Sequence, residues 1–103
     1  MQGVQKIAMV INQSRDCWEG TRSALGLGVE NLWAGCFYID CAIELIPGKS
    51  EEEFQENLEM LEELEAEMYT NVPANSQRFP LIKYLPLEEM PQKLAAFQLV
   101  VPF

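Results

Sequence analysis

The sequence contains no histidine. That absence excludes Ser-His-Asp and Cys-His nucleophilic centres and leaves any thiol chemistry without its usual base. Cysteine is sparse: Cys17, Cys36 and Cys41 are an odd number with no CxxC pair, a pattern that fits a reducing, cytoplasmic compartment better than a disulfide framework. With so few sulfur ligands and no imidazole, a structural zinc site is not expected, and no metal ligands are assigned. Basic residues are also scarce. Seven Lys and Arg stand against sixteen Asp and Glu, a formal charge of -9, which repels phosphate backbones and anionic lipid surfaces and so speaks against nucleic-acid and membrane-surface partners. No apolar run approaches the roughly 20 residues that span a bilayer, and Met1 to Lys6 lacks the charged-then-apolar order of a signal peptide. Neither GxGxxG nor GxxxxGK[ST] follows the first apolar run, so no nucleotide or dinucleotide cofactor is expected.

What remains is an ordinary globular mixture. Hydrophobic residues make up 49% and charged residues 22% of 103 positions, enough for one domain with one core and too short for a second. Ile7 to Ile11 is an unbroken apolar run within Val4 to Ile11, as expected of a parallel strand covered on both faces. The polar stretch Asn12 to Asp16 should start a helix through its short side chains. From Trp18 to Trp33 the apolar positions Trp18, Leu25, Val29 and Leu32 recur at helical spacing, with Gly28 allowing close approach to the sheet and Gly35 as the stop. Cys36 to Ile39 forms a second buried strand, ending at Asp40 and Cys41, and completes a βαβ unit. Ala42 to Ile46 is read as a short helical turn.

Ser50 with Glu53 has the form of a capping box. It predicts a helix from Glu51 to about Glu67, with Phe54, Leu58, Leu61, Leu64 and Met68 on its apolar face. Met68 to Val72 is expected as a third strand, Pro73 to Pro80 as a loop, Leu81 to Leu85 as a further apolar stretch stopped by Pro86, and Leu87 to Phe97 as a short helix with Pro91 in its first turn. Leu99 to Val101 supplies a last strand, with Pro102 at an edge or outside the ladder. The order is a compact parallel-sheet α/β domain of about five strands.

Nine of the sixteen acidic residues lie between Glu51 and Glu67, and the seven outside equal the seven basic residues. The net charge therefore belongs to one helix. It reads as a solvated outer face, or as a dock for a basic partner. In open α/β sheets ligands sit beyond the carboxyl ends of the strands. That edge gathers Asn12, Ser14, Arg15, Asp16, Asp40, Thr70 and Asn71 as candidate ligand-binding residues, with Cys17 and Cys41 beside them. Cys17, at a helix start and near Arg15, is the first nucleophile candidate; its competing reading is a buried structural cysteine. Cys41 is next, and Cys36 belongs to the core. Trp18 and Trp33 are core or subunit contacts.

The segments KIAMVINQ, TRSALGLGVENLWAG, CFYIDCAIEL, YLPLEEMPQKLAAF and LVVPF together resemble the DsrE/TusD-like family of small sulfur-relay proteins. The resemblance implies a three-layer flavodoxin-like or Rossmann-like domain that assembles into trimers or hexamers. Carriers in that family hold a persulfide on a cysteine in the loop after the third strand. The matching region here, TNVPANSQ from Thr70 to Gln77, has no cysteine, so the resemblance implies a noncatalytic or regulatory relative that binds a small ligand or a partner. Two alternatives stand beside it: a sulfur carrier using Cys17 or Cys41, and an interaction module docking a basic protein through its acidic helix.

Overall fold

The computed structural model describes residues 5–103. Met1 to Val4, including the first residue of the expected first strand, lie outside the described residues. Five strands, β1 (Lys6–Ile11), β2 (Trp33–Tyr38), β3 (Glu67–Thr70), β4 (Lys83–Tyr84) and β5 (Leu99–Pro102), pair in the order β4-β3-β2-β1-β5. Every neighbouring pair is parallel. The helices are α1 (Cys17–Val29), α2 (Glu51–Glu63), α3 (Pro73–Arg78) and α4 (Met90–Leu94), with 3-10 turns at Ser14–Asp16 and Leu87–Glu89.

Two cores form because the central strands alternate their side chains across the sheet. On one side Met9, Ile11, Cys36 and Tyr38 meet Trp18 and Leu25 of α1 and Phe54, Leu58 and Leu61 of α2. On the other, Ala8 and Phe37 meet Met90 and Phe97, with Leu94 of α4 packed against them. The result is a flavodoxin-like three-layer α/β fold. β1 and β2 are covered on both faces, which is why each reads as a continuous apolar run.

Several boundaries fall elsewhere than the sequence pattern suggests. α1 ends at Val29, and Trp33 and Gly35 lie in β2, paired with Lys6 and Ala8. The stop is Asn31, at φ 69°, with the Leu32 amide donating to Leu27 O at 3.1 Å. α2 closes the same way, through Glu65 at φ 64° and an Ala66 amide donating to Leu61 O at 3.0 Å. Both are Schellman-type ends in which a left-handed residue turns the chain and a 6→1 bond satisfies a free carbonyl. Met68 consequently belongs to β3, and Val29, 69% exposed, is no core residue. Gly28 allows a close approach to the end of α2, its neighbour in the same layer, rather than to the sheet: a Cβ there would lie 2.8 Å from Leu64 Cδ1.

Pro73–Arg78 is helical, because Pro73 occupies the first turn, where its missing amide proton costs nothing. Only Lys83 and Tyr84 of the Leu81 to Leu85 stretch pair into the sheet, and Leu87 to Phe97 is a 3-10 turn followed by the short α4. Ala42 to Ile46 has no helical turn. Pro102 does pair, opposite Val10, at the free edge of β5. Ser50 caps α2 as predicted, with both halves of the capping box formed at 3.1 Å.

Candidate functional site

The carboxyl ends of β1, β2 and β3 converge on the β1–α1 turn, the 39–50 connection and the start of α3. The 39–50 connection is the longest in the fold, twelve residues without regular structure between Tyr38 and Glu51. Loops of that length inside a compact domain need a reason, either function or a specific set of tethers. Here the tethers come from α3. Buried Asn75 accepts from the Ile43 amide at 3.0 Å and donates to Cys41 O at 2.9 Å and to Thr70 Oγ1 at 3.0 Å. Arg78, at the last turn of the same helix, donates through Nη1 to Ile43 O and through Nε to Glu51, both at 2.6 Å, while its guanidinium lies 5.0 Å from the centre of the Phe79 ring.

A third tether joins the loop to β3. Asp40 adopts φ 59°, a conformation that costs a non-glycine residue about 1 kcal/mol. Asn71 braces it: its Oδ1 accepts from the Asp40 amide and its Nδ2 donates to Asp40 Oδ1, both at 2.8 Å. Thr70 is buried, donating to Tyr38 O at 2.8 Å and accepting from the Val72 amide at 3.1 Å. The structure thus brings Asp40, Thr70 and Asn71 together, as the strand-end rule predicts, and spends their polar groups on holding the loop.

Between the fixed loop and the β1–α1 turn lies an open cleft of about 570 Å³, lined by Ser14, Ala42, Ile43, Glu44, Leu45 and Arg78. Of the residues named from sequence for this edge, Ser14 alone lines it. Asn12 and Arg15 are exposed and Asp16 is half-buried. None of the residues flanking α1 caps it with a side chain; the 3-10 turn delivers the chain into the helix instead. Asn75, Arg78, Ile43 and Leu45 carry the site and were not singled out by sequence. Their one visible signal was an asparagine two residues beyond Pro73, which reads equally well as a turn residue.

The thiols lie beneath this surface. Cys17, fully buried, opens α1 and donates its Sγ proton toward Gln13 O at 3.8 Å. Cys41, 6% exposed, donates toward Ile11 O at 3.5 Å. The neighbouring Cys41 side chain and burial raise the Cys17 thiol, and the opposing Glu44 amide does not offset them. The Cys41 thiol is lowered by the neighbouring Cys17 side chain, against burial and the carboxylates of Asp40 and Asp16. Cys17, named first from the sequence, is the more deeply buried of the two, and Cys41 keeps slight exposure. Cys36 is core, its thiol pushed up to about 12 by burial.

A second open groove, about 640 Å³, runs along α2 between Glu51, Glu52, Gln55, Glu56, Glu59, Arg78 and Phe79. It lies off the strand ends and is walled by solvated carboxylates. No group of three or more His, Cys, Asp or Glu among the described residues could hold a metal ion. No helix among them is long and apolar enough to cross a membrane. Trp18 is core, whereas Trp33 is 47% exposed. Comparison with protein-family models, with curated proteins and with solved structures finds no match to this chain.

Proposed function

We propose that the chain is a noncatalytic, DsrE-like binding protein of the cytoplasm that takes a small molecule or a partner segment in the cleft between the β1–α1 turn and the 39–50 loop. One observation supports this reading above others: a twelve-residue loop at the carboxyl edge of a parallel sheet is tethered from below by Asn75 and Arg78. Those tethers leave Ala42, Glu44 and Leu45 lining the cleft. A pre-set apolar wall with a few polar groups, Ser14 and Arg78 among them, suits a ligand with an apolar body and a hydrogen-bonding end. The test is a thermal-shift screen of a fragment library. Fragments that raise the melting temperature should still do so in a Cys17→Ser/Cys41→Ser double variant and should fail in Leu45→Glu. Hits lost in the folded double variant, or indifferent to Leu45→Glu, would refute the reading.

A second reading, a sulfur carrier on Cys41, is supported by the slight exposure Cys41 keeps beyond the end of β2, next to Ala42 of the cleft wall. Incubation with a sulfur donor should then add one sulfur atom to Cys41; a thiol left unmodified under conditions that load a known carrier would end it. The acidic groove along α2 suits a basic partner by charge, and contact through it should weaken steeply with salt. A homo-oligomer, trimer or hexamer, is the assembly we propose, supported by the exposed Trp33, Leu99, Val100 and Phe103. A monomer by light scattering would refute it.

A further inference from the structure

We infer that the free edge of β5 pairs with itself: β5 of one copy lies antiparallel against β5 of a second copy across a two-fold axis at Val100, so that one sheet runs through both chains. The inference rests on the homo-oligomer proposed above and on nothing in the cleft; it names the surface through which copies join. Its basis is the direction of the backbone groups of β5. The Gln98 amide donates to Lys6 O at 2.8 Å, and Val100 pairs with Ala8 across the ladder. Alternate residues, Gln98 and Val100, therefore turn their N–H and C=O groups to β1, and Leu99 and Val101 turn theirs outward. No strand among the described residues lies on that side. Proline often blunts an edge by withholding a donor, but not here. The place of Pro102 in the alternation faces β1, where the Phe103 amide takes Val10 O at 2.9 Å in its stead.

A second copy fits this edge because the edge is complementary to itself. With the axis at Val100, Leu99 of each chain faces Val101 of the other, and each such pair exchanges both of its N–H···O=C bonds. The two Val100 side chains then meet as the close, non-hydrogen-bonded pair. Charge permits the approach. Leu99 to Phe103 contains no charged residue, and Leu99, Val100 and Phe103 are exposed. The acidic helix α2 joins β2 to β3, on the half of the sheet away from β5. Copies that each carry a formal charge of -9 thus meet without bringing their acidic helices together. The opposite edge is built the other way. β4 is only the 2 residues Lys83–Tyr84, and a short edge strand bearing a lysine is a usual guard against strand addition.

The experiment measures the mass of the full chain by light scattering. The wild type is expected as an even assembly. Val100 is 43% exposed, so Val100→Lys leaves the core alone but sets two ammonium groups side by side at the axis, and it should halve the assembly mass; Val100→Glu should do the same. An equimolar mixture of the two variants should return to the wild-type mass, because each lysine then faces a glutamate. Val100→Cys reads the register without adding charge: mild oxidation should join two chains through the new thiols, whereas Leu99→Cys, opposite Val101 of the second copy, should not cross-link. The contact is overturned if Val100→Lys keeps the wild-type mass, if the mixture stays at half of it, or if Leu99→Cys cross-links as readily as Val100→Cys. A wild-type trimer keeps the homo-oligomer reading and overturns the two-fold contact. A monomeric wild type, its edge left to a strand of another protein, overturns both.

Discussion

Replacing Asn75 with alanine removes the side chain that fixes the 39–50 loop from beneath. Two backbone groups then lose their partners, the Ile43 N–H and the Cys41 carbonyl. Thr70 does not, because its hydroxyl keeps Tyr38 O and the Val72 amide. Each orphaned buried group costs about 1–3 kcal/mol, so the substitution should destabilise the fold by about 3 kcal/mol. In a domain of this size that lowers the melting temperature by on the order of 15 °C and the urea midpoint by roughly 2 M. Amide exchange should rise across Cys41 to Leu45 before it rises in β1, since the loop loses its tether while the central strands keep theirs. Ser76→Ala, one residue along α3, is the control. That hydroxyl makes a single exposed bond to Pro73 O at 3.0 Å, and its loss should stay within about 0.5 kcal/mol. If Asn75→Ala unfolds within about 1 kcal/mol of the wild type, with unchanged exchange at Cys41 to Leu45, the loop is not held in the way described.

Three further outcomes follow from the packing. Gly35→Ala places a Cβ 2.7 Å from Phe97 Cζ and 3.3 Å from Glu67 O; the ring must move and the β3 backbone cannot, so urea melts should show a loss of about 1–3 kcal/mol, restored in part by Phe97→Leu. Ser50→Ala removes the capping box of α2 and should cost about 1 kcal/mol in the same assay, whereas Ser50→Asp should hold most of it. Alkaline pH should destabilise the fold, since burial raises the Cys36 thiol from 9.0 to about 12 and the Tyr38 phenol well above 10.0. Both groups stay neutral when folded and ionise when unfolded, so the contribution of Cys36 is full below about pH 9 and that of Tyr38 below about pH 10, each falling above that by up to about 1.4 kcal/mol per pH unit. Cys36→Ala should flatten the urea-midpoint profile between pH 9 and 10.5; an unchanged slope would refute the assignment.

The parts of the fold that were legible in the sequence are those where local chemistry and tertiary packing agree. β1 is a run of buried apolar residues, and α2 carries both its capping box and its apolar stripe. The helix ends were not legible. Glycine announces a left-handed stop, but the stops here are Asn31 and Glu65, and a glutamate at such a position carries no signal in an acidic stretch. Gly35, which invites that reading, is needed for the approach of Phe97 instead. Asp40, Thr70 and Asn71 do meet at the edge that the strand-end rule names. Whether a polar side chain at that edge faces a ligand or ties down a loop depends on contacts thirty residues apart, as between Asp40 and Asn71, and no local pattern encodes them. The burial of the thiols was hidden for a related reason: a helix start favours the Cys17 thiolate, but the packing that seals Cys17 comes from other elements.

The central claim is that the cleft between the β1–α1 turn and the 39–50 loop is where this chain binds. Two-dimensional amide NMR during titration with the tightest fragment from the screen tests it most directly. The account predicts saturable shifts centred on Ser14, Ala42, Glu44, Leu45 and Arg78, with the outer face of α2 and the α4 side of the sheet unmoved. Shifts centred on Glu51 to Glu59, or on the face made by Leu85, Lys93 and Ala96, would contradict it.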